Sequence, residues 1–189
     1  MEIIPLIKMR GKKILDHQIA NIIEKSKNID GEKPIFILDY DGIESNKPNL
    51  CTYQKLSKYY ELWVDFAPKN LGDVVDSFMS GAKAAVIRKK LFKKFDIKEI
   101  KDISENKIFL NIEGKEDDIQ TPVSIGEVDG YITYKTREGI EGNFKYQTDL
   151  KQIFSNLYIY EKNPDNTSYW EKHEVKGLLV DFSKYKEFK

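Results

Sequence analysis

Short runs of β-branched and aromatic residues recur along the chain, at residues 3–9, 34–39, 61–66, 83–87, 108–112, 130–134, 157–160 and 177–182. Several are apolar at consecutive positions, the pattern of a strand covered on both faces in a parallel sheet. The intervals carry helical periodicity. Ile14, Ile19, Ile22 and Ile23 share one helical face, Leu50, Tyr53, Leu56 and Tyr60 a second, and Leu71, Val74, Val75, Phe78 and Met79 a third. Asn70 stands at the N-cap of that third helix, with Asp73 at its third position and Gly81 at its C-cap. Residues 91–104 hold a further short helix and residues 148–155 a fifth, capped by Thr148.

Strands alternating with helices predict right-handed parallel crossovers. Eight of them predict an α/β fold of the (β/α)8 barrel type, with an open doubly wound parallel sheet as the alternative that gives the same pattern. The 189 residues are read as one domain, 1–189, undersized for a barrel that ordinarily uses about 250 residues. The shortage is local. Residues 114–127 contain Pro122 and Gly126 without a helical stripe, and residues 163–176 open Asn163-Pro164-Asp165-Asn166 and read as a loop. The crossover helices after strands five and seven are therefore expected to be missing or very short.

Composition narrows the partners. Thirty-one basic residues against 31 acidic ones cancel to zero net charge, so the basic field that nucleic acid or anionic lipid requires is not expected. The lone Cys51 cannot form an intramolecular disulfide, no apolar run approaches the ~20 residues of a membrane span, and Glu2 stands where a signal peptide carries positive charge. A cytoplasmic protein is expected. His17 and His173 have no acid, nucleophile or ligand pattern around them, so no metal and no cofactor are expected. Tyr158, Tyr160, Tyr169, Trp170 and Tyr185 make the last third aromatic, as core or as cover where helices are missing.

The opening Ile3-Ile4-Pro5-Leu6-Ile7-Lys8-Met9-Arg10-Gly11 is similar to the first strand of the phosphoribosylformimino-AICAR ribotide (ProFAR) isomerase family of histidine biosynthesis. Ile37-Leu38-Asp39-Tyr40-Asp41-Gly42 resembles that family's second strand, and Val64-Asp65 followed by Lys69-Asn70-Leu71-Gly72-Asp73-Val74 its third strand and next helix. Gly81-Ala82-Lys83-Ala84-Ala85-Val86-Ile87 resembles the fourth strand, residues 108–113 the fifth, and Asp129-Gly130-Tyr131-Ile132 with Arg137-Glu138-Gly139 the sixth and its loop. Gly177-Leu178-Leu179-Val180 with Tyr185 resembles the close of the last strand and its tyrosine. The resemblance runs through the whole chain in order and implies a barrel.

The family's acid and base are two aspartates at the ends of strands one and five; here those positions hold Lys8 and Glu113. Lys8 is read as a low-pKa amine, a Schiff-base nucleophile or half of an ion pair. Glu113 is read as a retained base or as a carboxylate paired with Lys8 or Arg88. Asp39 and Asp41 line the site or cap their loop, and Asp65 at the end of strand three and Arg137 in the loop after strand six are further substrate-binding candidates. The glycine loops that cradle phosphate are replaced by Asp65-Phe66-Ala67-Pro68-Lys69 and by Arg88-Lys89, so an anion would be held by side-chain charge, unless Arg88 and Lys89 belong to a solvated helix start. Glu161 and Asp181, after strands seven and eight, oppose phosphate. With one aspartate and the glycine loops gone, the expectation is a ProFAR-isomerase-like barrel that has lost isomerisation and serves as a binding or assembly protein, self-associating through the face lacking helices. The alternative is an enzyme of changed specificity, isomerase-like or lyase-like, acting on a small carbonyl or sugar-phosphate metabolite, with a small anionic metabolite as its ligand.

Overall fold

The structure is a computed structural model and describes residues 1–11, 34–92, 96–112, 127–135 and 156–188. All eight expected strands form: β1 Glu2–Met9, β2 Pro34–Asp39, β3 Glu61–Asp65, β4 Ala82–Ile87, β5 Lys107–Asn111, β6 Gly130–Thr133, β7 Leu157–Tyr160 and β8 Gly177–Asp181. They follow one another in chain order as a closed barrel, so the fold is the (β/α)8 barrel and the open sheet is set aside. Among the described residues no helix is long and apolar enough to cross a membrane. The chain gathers into two compact units, Leu6–Lys107 and Met1–Pro5 with Ile108–Lys189, each described in turn.

In Leu6–Lys107, parallel pairing aligns Leu6 with Phe36 and Phe36 with Trp63, then Lys8 with Leu38 and Leu38 with Asp65. Partners in register share a face and alternate residues return to it, so Glu61, Trp63 and Asp65 lie along one face of β3 with Lys8 and Leu38 beside Asp65. Between β3 and β4 the register shifts: Leu62 pairs with Ala82 but Trp63 with Ala84, so β4 carries Lys83 as one extra residue. That is a bulge, and Lys83 is exposed in an otherwise buried strand.

Among the described residues four helices follow these strands: α1 Tyr40–Ser45, α2 Leu50–Leu56, α3 Leu71–Met79 and α4 Ile97–Ile103. The N-terminal end of α3 is the one the sequence specifies, whereas its C-cap is Ser80, with Gly81 the residue after it. Asn70 accepts from the Asp73 amide at 3.1 Å, and Asp73 reaches back to the Lys69 amide at 2.7 Å, a reciprocal cap. Gly81, at φ +94°, ends the turn by donating to Phe78, and a Cβ there would collide with the Ser57 side chain. Helix α2 stops at Leu56, so Tyr60, expected on its face, lies in the connection to β3.

In the second unit the amino end of β1 is tied to the start of β8, with the Glu2 amide donating to Lys176 at 3.0 Å, and the Phe109 and Tyr158 rings meet edge to face at 5.5 Å. After β7 come a 3-10 turn, Pro164–Asn166, a six-residue helix α5, Thr167–Lys172, and after β8 the 3-10 stretch Phe182–Phe188. The crossover helix is very short, as expected. Reading Asn163-Pro164-Asp165-Asn166 as loop is corrected, however: Asn163 caps the turn by accepting from the Asp165 amide at 3.1 Å, and Pro164 supplies the preset φ of a first helical position. The first expected helix, the crossover at 114–126 and the helix at 148–155 lie outside the described residues.

One close approach is testable. Gly42 is buried in α1, and a Cβ added there would come within 2.6 Å of Phe66 Cβ. Gly42→Ala is expected to cost about 1–3 kcal/mol through overpacking. Urea denaturation checks this, and unchanged stability would show that α1 is looser than described.

Candidate functional site

At its carboxyl end β2 changes abruptly from apolar residues to Asp39, whose side chain is wholly buried. A buried carboxylate requires donors, and Asp39 has five. Oδ1 accepts from the amides of Asp41 and Gly42, at 3.1 and 3.3 Å, and from Asn49 Nδ2 at 3.0 Å. Oδ2 accepts from the Asn49 amide at 2.7 Å and the Tyr53 hydroxyl at 2.6 Å. Asp39 therefore caps α1 and gathers the loop and α2 around itself; of the two roles open to it, the hydrogen bonds describe loop capping. Burial, then the charge of Asp39 and the hydrogen bond to it, push the Tyr53 phenol well above 10.0.

Asp41 extends this shell outward. Its Oδ2 accepts from Asn49 Nδ2 at 2.9 Å and from the Gly11 amide at 2.8 Å, which hold its carboxyl below the usual range. Arg10 grips Glu44 through both guanidinium nitrogens and lies 4.9 Å over the Tyr40 ring, so the end of β1 is clamped to α1.

The neighbouring strands carry the second arrangement. Asp65, also wholly buried, ends β3 and accepts from the Ala67 amide at 3.1 Å and from Arg88, just past β4, through Nη2 at 2.9 Å and Nε at 3.2 Å. The Arg88 side chain keeps 23% of its surface open. This two-nitrogen grip fixes the plane of the guanidinium. Lys8 is exposed on the same face, two strands from Asp65, or about 10 Å at the spacing of adjacent strands. Lys89 is exposed beside Arg88. Glu113 and Arg137 lie outside the described residues.

In the second unit, reasoning from sequence treated Glu161 as an acid opposing phosphate. It is instead buried and satisfied: Oε1 accepts from the amides of Lys162 and Asn163 at 2.7 and 2.9 Å, and Oε2 from Asn166 Nδ2 at 3.1 Å and Trp170 Nε1 at 2.7 Å. Tyr160 donates to Asp181 at 2.9 Å. Lys135, not singled out from the sequence, follows β6 and is half-buried, its amide donating to Thr133 Oγ1 at 3.3 Å. The available signal was a lysine two positions past a strand's last residue.

No family profile and no curated protein sequence matches the chain. Its fold does match solved structures. Dihydrodipicolinate synthase from Bacteroides thetaiotaomicron superimposes with a TM-score of 0.57 at 11% identity, covering 97% of this chain and 70% of that one. A 2-keto 3-deoxygluconate aldolase from Picrophilus torridus gives 0.54 at 13% identity, covering 98% and 78%. These likenesses establish the barrel and do not single out the ProFAR isomerase family. They also correct the expectation of a non-catalytic binding or assembly protein, because the barrels it matches are a synthase and an aldolase. The physical premise of that expectation weakens too, since Trp170 of α5 is fully buried.

Tyr53→Phe removes one charge-accepting hydrogen bond and should cost about 2 kcal/mol. The raised phenol contributes stability that is complete below the unfolded tyrosine pKa of about 10 and lost as pH rises beyond it. Denaturation measured across alkaline pH should show a shallower decline for Tyr53→Phe than for the parent. Parallel declines would count against the buried pair.

Proposed function

We propose that this protein is an enzyme, a lyase acting on a small carbonyl or sugar-phosphate metabolite at the carboxyl ends of β1, β3 and β4. The observation that carries this reading is the shared face of Lys8, Asp65 and Arg88: an amine and an anion-directed guanidinium at the end of a barrel where catalytic groups of this architecture reside. The matched synthase and aldolase support the same class.

Cleaving a carbon–carbon bond beside a carbonyl needs a place for the electron pair. The Lys8 amine supplies one by adding to the carbonyl carbon and losing water, which leaves an iminium. Deprotonation of the substrate's distal hydroxyl then breaks the bond, and the pair moves into the iminium to give an enamine. Protonation of the enamine and hydrolysis return the amine. Arg88, held in orientation by Asp65, binds the substrate's carboxylate or phosphate, and Lys89 adds positive charge at its edge. Glu113 is the proposed acid and base and Arg137 a further anion contact, both carried by the ProFAR resemblance. Asp39 and Asp41 act indirectly by fixing the loop after β2. Descent from a ProFAR-isomerase-like frame and a cytoplasmic location belong to the same proposal.

Borohydride reduction in the presence of pyruvate or 2-keto-3-deoxygluconate should leave a covalent adduct on the Lys8 peptide, absent in Lys8→Ala. Arg88→Gln should raise KM about tenfold or more by removing a charge-assisted contact. An adduct on Lys135 would keep the lyase and move its amine. No adduct and no turnover with either compound would sink the proposal.

A further inference from the structure

Leu6–Lys107 holds a second concavity, at the strand starts. A groove of about 560 Å³ lies at the amino ends of β3, β4 and β5, and Tyr59, Tyr60, Glu61, Lys83, Asn106 and Lys107 are among the residues lining it. Glu61 opens β3 and Asp65 closes it, four residues or about 13 Å along the strand, so this groove is separate from the Lys8 and Arg88 site.

Its lining carries a charge cluster of two lysines, Lys83 and Lys107, and two glutamates, Glu61 and Glu105. Glu61 Oε1 accepts from Trp63 Nε1 at 2.8 Å and from Lys107 Nζ at 3.1 Å, and the Lys107 ammonium lies 5.1 Å from the centre of the Trp63 ring. Burial pushes the Glu61 carboxyl up, but the hydrogen bonds from Trp63 and Lys107 and the charges of Lys107 and Lys83 outweigh it and leave it lowered. Two ammonium groups thus act on one partly shielded carboxylate. The other acid of the lining, Glu105, is exposed, as are Lys83 and Lys107. Lys83 is there because of the β4 bulge, which turns one extra residue outward between buried alanines. Beside the cations stands Tyr59, 58% exposed, a large aromatic surface left in water.

We propose that this groove is a second ligand site, for a small anion carrying a flat ring: its phosphate or carboxylate lies between Lys83 and Lys107, and its ring packs on Tyr59. Two ammonium donors satisfy one anionic group better than one does, and the exposed ring gives an aromatic ligand apolar area to bury.

The chain has two tryptophans, which makes the test direct. The Trp63 indole N–H donates to Glu61, which lines the groove, whereas that of Trp170 is bound to Glu161 in the other unit. In nitrogen-15 spectra of the full chain, phenyl phosphate should shift the Trp63 indole signal saturably and leave that of Trp170 in place, with benzoate as the carboxylate arm. Lys83→Glu and Lys107→Glu should each weaken the response about tenfold or more, and Lys8→Ala should leave it unchanged. Lys83→Gln gives the same comparison where charge reversal prevents folding, which the Trp170 signal reports. Three results would overturn the proposal: no Trp63 shift, a shift that survives both lysine substitutions, or a stronger response to benzylamine. Equal binding of inorganic phosphate would overturn the ring requirement.

Discussion

A carboxylate that ends a buried strand must be surrounded by donors, and much of this protein's local architecture follows from meeting that demand. At zero exposure the Asp39 carboxyl oxygens need hydrogen-bond donors to replace the water they have lost. Its five donors come from the start of α1, from Asn49 and from α2, so satisfying one side chain determines the path of the chain for 14 residues beyond the strand. Glu161 repeats the device after β7 with other residues: two backbone amides, one asparagine amide and one aromatic donor from the next helix. In both places an aromatic residue of the following helix serves as wall and as donor, which explains why a tyrosine and a tryptophan occupy positions where leucine would otherwise pack.

Asp65 meets the same demand differently. It accepts from the Ala67 amide and from Arg88. This partner is a side chain that keeps part of its surface open, whereas the groups around Asp39 and Glu161 are backbone amides and buried or half-buried side chains. The difference in partner separates the carboxylates that hold loops from the one that holds an arginine.

The strands were legible in the sequence because a strand covered on both faces reads as a continuous apolar run; β2 and β7 were located to the residue. The caps of α3 were legible because each acts locally, Asn70 on the amide of Asp73 at one end and Gly81 on the carbonyl of Phe78 at the other. Glu161 was not, since its donors Asn166 and Trp170 only become neighbours once a turn forms at Pro164, and a sequence that starts a helix with asparagine and proline resembles one that ends a strand in a loop. The strand-end positions of Lys8, Asp39, Asp65 and Arg88 followed from the family resemblance, but the partner of Arg88 did not. Asp65 lies 23 residues away, and the pairing depends on two strands being in phase.

That phase rests on the bulge in β4. Side chains alternate between two faces, so an extra residue in a strand reverses the parity of everything after it unless the ladder skips a position. Here the ladder skips at Lys83, and Ala84 resumes opposite Trp63. If the strand were straightened through that point, Lys83 would oppose Trp63 and Arg88 would turn to the face away from Asp65. Drift in the length of β4 is therefore constrained by a counting rule: insertions and deletions are tolerated there in pairs, or singly only where a skip absorbs them.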